Sequence, residues 1–398
     1  MSSFYVTTPI YYVNGTPHIG HAYTTLVADT LARYHRQRGD QVFFMTGTDE
    51  HGLKVQREAE RRGMTPQAMA DEHSARFRSL FDTMKLSYDR FIRTTEDEHA
   101  RVVRTLFETL RERGDIYLGE YEGWYAASDE AFYTDEEIQD GKVISTGATV
   151  EWVAERSYFF RLSAYRERLL QWYRENPECI RPEARYNEVY SFVEGELHDL
   201  SISRTTFDWG IPVPGDPEHV MYVWLDALTN YITGVGAFSD APEWTTFWPC
   251  DVHLIGKDIL RFHAVYWPAF LMSAGLPLPR TIFAHGWWLN EGVKMSKSLG
   301  NFIDAFELLE RAELDVLRYY MLREVSFGND GNFSYRNLLV RNNSELADNL
   351  GNLVNRTLRM TERFLGGVIP AEAEVTAEDE AIVARAFQAR DAVEAHMQ

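Results

Sequence analysis

Pro17-His18-Ile19-Gly20-His21 joins a stretch that reads as a strand to one that reads as a helix, and that junction decides the fold. Upstream, Phe4-Tyr5-Val6-Thr7-Thr8 is rich in β-branched and aromatic residues. Downstream, Ala22 to Arg38 has helical periodicity, with Leu26, Ala28, Leu31 and Tyr34 as candidate core positions. A strand, a glycine-bearing turn and a helix start form the phosphate-binding crossing of doubly wound sheets, where unpaired N–H groups and the helix dipole attract anions. Residues three apart at a helix start share a face, so His18 and His21 can point at one phosphate chain, and Gly20 leaves room for a ring to approach the backbone. An isolated H-x-x-H pair equally suits two surface or capping histidines. A zinc site would need two histidines four apart with an adjacent glutamate, or further ligands nearby, and neither is present.

With 398 residues, 45% of them hydrophobic, the chain can bury more than one core and should divide into two or three domains. It contains no uninterrupted apolar run long enough to span a bilayer, and Met1-Ser2-Ser3 leads straight into a strand with no signal-like segment, which points to the cytoplasm and to no membrane partner. Cys179 and Cys250 stand far apart, so neither a disulfide framework nor a cysteine zinc knuckle is available. A net charge of -20 argues against sequence-independent binding of a polyanion but leaves room for a basic groove on an acidic body.

Far downstream, Glu291-Gly292-Val293-Lys294-Met295-Ser296-Lys297-Ser298-Leu299-Gly300-Asn301 reads as a mobile loop carrying two point charges. Paired with His18-Ile19-Gly20-His21, it supplies the two signatures of class I aminoacyl-tRNA synthetases. Further blocks occur in order: Asn14-Gly15, Gly47-Thr48-Asp49-Glu50-His51-Gly52, Trp209-Gly210-Ile211-Pro212-Val213-Pro214, Tyr222-Val223-Trp224-Leu225-Asp226-Ala227-Leu228, Gly256-Lys257-Asp258-Ile259 and His285-Gly286-Trp287. Together they resemble the methionyl-tRNA synthetase family along essentially the whole chain.

The resemblance implies that methionine carboxylate attacks the α-phosphorus of ATP to give methionyl-adenylate, and that a terminal ribose hydroxyl of tRNA then takes the acyl group. It places His18 and His21 on the ATP phosphates and Gly20 under the adenine. Lys294 and Lys297 would meet the charge of the α-phosphate and leaving pyrophosphate, Lys297 foremost, and Asp258 the ribose, with Mg2+ accompanying ATP. Asp49 would bind the methionine ammonium, while Ile10, Tyr12, Trp224, Ala227, Leu228, Tyr231, Ile259 and His263 would line the side-chain pocket, with Trp267 on the His263 helix face. Each aromatic or aliphatic residue taken alone also suits an ordinary core.

The implied fold class is α/β: a Rossmann-like parallel-sheet catalytic domain split by a connective insertion, then an incomplete α-helical anticodon-binding domain. Residues 1–115 form the first catalytic half, including Gln41-Val42-Phe43-Phe44-Met45 as a buried parallel strand and a helix from Arg101 to Arg113. Residues 116–221 form the insertion, with short strands near Trp124-Tyr125 and Val143-Ile144 and a helix from Ala164 to Glu175. Residues 222–326 resume the sheet with Val252-His253-Leu254-Ile255 and Thr281-Ile282-Phe283-Ala284, and residues 327–398 begin the helices. Tyr125-Ala126-Ala127-Ser128-Asp129 stands where many relatives carry zinc cysteines, so no structural zinc is expected. The insertion is too short for the editing domain of leucyl, isoleucyl and valyl enzymes. Asn352 and Arg356 are the expected anticodon contacts. The chain ends at Gln398, before such a bundle would finish, which predicts impaired charging of the initiator and elongator methionine tRNAs by a monomer. Two other functions compete: another H-x-G-H nucleotidylyl transferase, which needs no long insertion, and a silent tRNA-binding protein, against which the intact His18, His21, Asp49, Lys294 and Lys297 argue.

Overall fold

The computed structural model describes residues 2–128, 131–290, 292–295, 302–371 and 375–397. Two compact units emerge, one of Met1–Arg311 and Met321–Asn332, the other of Ala312–Tyr320 and Phe333–Gln398.

A six-stranded sheet organises the first unit, in the order Arg90–Arg93, Gln41–Asp49, Ser3–Tyr12, Val252–Gly256, Thr281–His285, Ile180–Arg181, every neighbouring pair parallel. Strand order reverses between Ser3–Tyr12 and Val252–Gly256, and a doubly wound sheet opens a crevice at the carboxyl ends of strands at such a point. The first strand runs past the expected Thr8 to Tyr12. Pro9 cannot donate to a ladder, and the pairing shifts by one residue between Thr7↔Met45 and Ile10↔Gly47, a bulge that absorbs the proline and lets the strand continue. The facing Gly47 must be glycine, because a Cβ there would lie 2.0 Å from the Ile92 carbonyl oxygen.

Helix Ile19–Gln37 begins earlier than the periodicity alone predicts, because His18 caps it. Leu26 and Ala28 are buried as expected, whereas Leu31 and Tyr34 are half-buried. Helix Asp97–Glu112 buries Val102, Val103, Leu106, Phe107 and Leu110. Helix Val223–Thr233 is buried on every side, so its polar members Asp226, Thr229, Asn230 and Thr233 need internal partners.

The short strand expected near Trp124-Tyr125 is part of a longer antiparallel sheet in the order Leu200–Ser201, Glu151–Phe160, Ile116–Ala126, Ala131–Tyr133, whereas the one expected near Val143-Ile144 is the two-residue strand Lys142–Val143, which pairs separately with Ile138–Gln139. Glu and Gly interrupt the alternation of Ile116–Ala126, yet its pairing with Glu151–Phe160 runs unbroken from Ile116↔Phe160 to Tyr125↔Glu151. The same stretch of chain returns Ile180–Arg181 to the central sheet as an edge strand. The second unit is helical: Tyr335–Arg341, a π-helical run Asn342–Gly351, Asn352–Leu365 and Ala377–Met397.

Candidate active site

At the crevice, a cavity of about 380 Å³ collects nearly all the residues singled out from the sequence. His18, Gly20 and His21 form its helix-start wall, and Asp49 stands at the end of its strand. Ile10 and Tyr12 enter from the first strand beyond the bulge, while Trp224, Ala227, Leu228 and Tyr231 enter from the buried helix. Asp258, Ile259 and His263 follow strand Val252–Gly256.

The two histidines cap the helix reciprocally. The Gly20 N–H donates to His18 Nδ1 at 3.0 Å and the His18 N–H donates to His21 Nδ1 at 3.2 Å, with the rings stacked 3.7 Å apart. An imidazole nitrogen that accepts a backbone N–H cannot carry a proton, so each neutral ring bears its proton on Nε2. Capping thus fixes both rings as Nε2–H donors at a helix start whose first turn contains no acidic residue, where the dipole favours an anion. Gly20 has a second role beside the approach of a ring: a Cβ there would lie 2.8 Å from His18 Cε1 and push the ring aside.

Tyr231 and His263, both buried, meet in the cavity lining. His263 Nδ1 faces the Ile259 carbonyl oxygen at 3.0 Å, so it is the donor, and Nε2 accepts the Tyr231 hydroxyl at 2.7 Å. Burial lowers the His263 pKa to about 4 and raises that of Tyr231 well above its ordinary value. Trp224 stacks on Phe262 at 3.8 Å and 6° and meets Tyr12 edge-on at 6.5 Å. Trp267 does not line the cavity; it packs behind Tyr231, its indole N–H donating to His253 Nε2 at 3.3 Å.

Around Asp49 the chain is clamped. Glu50, fully buried, takes Arg93 Nε at 2.7 Å, Thr48 Oγ1 at 2.8 Å and Thr95 Oγ1 at 2.5 Å. Trp209 donates its indole N–H to the Glu50 carbonyl at 2.5 Å and accepts the Gly52 N–H on its own carbonyl at 3.0 Å. On the other wall, Trp287 Nε1 donates to Asp258 Oδ1 at 3.0 Å, and Trp287 is itself held by its N–H to Asp330 Oδ1 at 2.8 Å and by Lys257 Nζ 4.1 Å from its ring centroid. Gly286 permits this, since a Cβ there would lie 2.3 Å from the Asn329 carbonyl oxygen.

The basic segment starts from a hairpin that pairs Leu289 with Lys294. Lys297 lies outside the described residues. The described residues on either side of that stretch, Met295 and Phe302, both line the cavity, Phe302 edge-on to His18 at 5.1 Å, and the Ile19 N–H donates to the Ile303 carbonyl at 3.2 Å. Asn352 and Arg356 are exposed on helix Asn352–Leu365 of the second unit.

Sequence reading gave no role to Trp287, Trp209, Asp226 or Phe302. The first three lie inside the quoted blocks, and a tryptophan or aspartate repeated within a block of glycines and charged residues was the available signal. Phe302 carried none.

The family model for class I tRNA synthetases (M) matches residues 4–141 and 135–358. The chain belongs to the methionyl class I tRNA synthetases. Methionine--tRNA ligase of Rhizobium meliloti is 53% identical over 391 residues, covering 97% of this chain and 76% of that protein. The Rickettsia conorii ligase of the same name is 55% identical over 356 residues, covering 89% and 70%. The structure of Mycobacterium tuberculosis methionyl-tRNA synthetase in complex with methionyl-adenylate superposes with a TM-score of 0.97 at 50% identity, covering 100% of this chain and 79% of that one. Its free form gives 0.88 at 46% identity. The chain thus carries the fold of these synthetases.

Proposed function

We propose that the chain activates methionine, joining its carboxylate to the α-phosphate of magnesium-bound ATP with release of pyrophosphate, and then passes the methionyl group to the 3′ end of initiator and elongator methionine tRNAs. One observation carries this reading: a single cavity is lined by a paired-histidine helix start, by Asp49 and by an aromatic group in which Tyr231 is hydrogen-bonded to His263. The carboxylate is already a nucleophile, so the protein needs to align it with phosphorus and to counter charge on the leaving group. The Nε2–H groups of His18 and His21 donate to phosphate oxygens without a fixed positive charge that would retain product. Lys294 and Lys297 supply that charge from the loop, and Asp258, oriented by Trp287, receives the ribose.

Asp49 takes the ammonium. The unbranched thioether suits an enclosure of Ile10, Tyr12, Trp224, Ala227, Leu228, Ile259 and the Tyr231–His263 pair. We read residues 1–115 and 222–326 as the catalytic halves, 116–221 as the insertion without zinc, and 327–398 as the start of the tRNA-reading helices, with Asn352 and Arg356 as anticodon contacts. We read the protein as a monomer that works in the cytoplasm, where ATP and tRNA are both at hand. Incubation with labelled methionine and Mg-ATP without tRNA, then gel filtration, should leave near-stoichiometric methionyl-adenylate on the protein. Absence of retained label would overturn the reading.

A further inference from the structure

The buried helix Val223–Thr233 carries one carboxylate, Asp226, that the proposed chemistry does not use. It is 1% exposed, and its two oxygens face two imidazoles: His51 Nδ1 lies 2.7 Å from Oδ2 and His99 Nε2 lies 2.7 Å from Oδ1. His99 is itself fully buried on helix Asp97–Glu112 and continues to Thr233 Oγ1 at 3.1 Å, one helix end away from Asp226. Burial alone would push the Asp226 carboxyl up, but the two imidazoles outweigh it and hold the pKa down to about 2. A carboxylate can only accept, so both facing nitrogens must be N–H donors, and each partner's proton position is thereby set.

These contacts join three separate segments. His51 follows Asp49 by two residues, and Asp226 sits between Trp224 and the Ala227–Leu228 pair of the same helix. We propose that Asp226 is a positioning residue: by bridging His51 and His99 it sets the spacing between the ammonium anchor Asp49 and the wall that encloses the substrate side chain. The bridge acts on the end of the amino acid that its two arms hold, and the nucleotide wall of His18, His21 and Asp258 stands on other segments. This inference rests on the methionine-binding reading above. Its signature is therefore selective, weakening amino-acid binding while leaving nucleotide binding as it was.

Asp226→Asn keeps the shape but replaces one acceptor by a donor, so one imidazole must give up its bond or move its proton. His51→Gln breaks the same bridge from a site nearer the surface and serves if Asp226→Asn does not fold. In methionine-dependent ATP–pyrophosphate exchange, each variant should raise the methionine KM about tenfold, with the ATP KM within about twofold of wild type. The double variant should be no worse than the weaker-binding single, because both remove one bridge. Unchanged methionine KM in a folded variant, or equal rises in both KM values, would overturn the proposal, as would full additivity in the double variant. Absence of exchange in the wild-type chain would instead overturn the methionine reading itself.

Discussion

Replacing Gly20 by alanine separates the two tasks of the helix start. Alanine inside a helix gains about 0.5–1 kcal/mol over glycine. The new Cβ would lie 2.8 Å from His18 Cε1, so the ring must swing away and give up its bond to the Gly20 N–H. Loss of an N-terminal cap costs about 0.5–2 kcal/mol. The two effects nearly cancel, and Tm should stay within about 3 °C of wild type. Activity should not be spared, because the displaced Nε2–H no longer meets the phosphate. A hydrogen bond to a charged group is worth about 1.5–3 kcal/mol, which is a fall of roughly 10- to 100-fold in kcat/KM for ATP in methionine-dependent pyrophosphate exchange. Wild-type kcat/KM in this variant would refute the role of His18, and a Tm drop beyond about 5 °C would show that the backbone, not the ring, gave way.

Asp49→Asn should raise the methionine KM at least about thirtyfold while leaving the ATP KM unchanged, because about 2 kcal/mol or more is lost when one partner of a buried ion pair goes; a methionine KM near wild type removes Asp49 from the ammonium site. Lys297→Ala should lower the single-turnover rate of adenylate formation about 100-fold or more with a small change in ATP KM, since only interactions stronger in the transition state accelerate chemistry. Equal losses in rate and ATP affinity would contradict that role. His263 is buried with its pKa lowered to about 4, so the unfolded chain binds its proton first. Its contribution is complete above pH ~6.5 and is lost as pH falls through the window down to about 4, amounting to about 2 kcal/mol between pH 7.5 and 5. Urea midpoints should therefore fall more steeply with acid in the wild type than in His263→Asn, and identical slopes would mean that His263 is protonated in the folded chain.

Short-range patterns made the parallel sheet and the helix after it legible, because β-branched runs and helical periodicity are local properties. The family blocks made the cavity walls legible, since those holding His18, Asp49, Trp224, Asp258 and His285 lie at the carboxyl end of a strand or the start of a helix. What stayed hidden depends on partners distant in sequence. Pro9 marks the end of a strand in isolation, and only pairing with Gln41–Asp49 shows that a bulge carries the strand on to Tyr12. Leu31 and Tyr34 follow the helical period but are only half-buried, because the period alone does not say how far the packed face extends around the helix. His18 as a cap, Trp287 on Asp258 and Asp226 between His51 and His99 are likewise fixed by contacts that no window of sequence contains.

In the proposed reaction one cavity joins methionine to ATP. Amino-acid-dependent ATP–pyrophosphate exchange, run with Mg2+ and no tRNA across the full set of standard amino acids, tests it most directly. Exchange is expected with methionine and none above background with the others; exchange driven by a different amino acid, or none with methionine, would refute the assignment of the cavity.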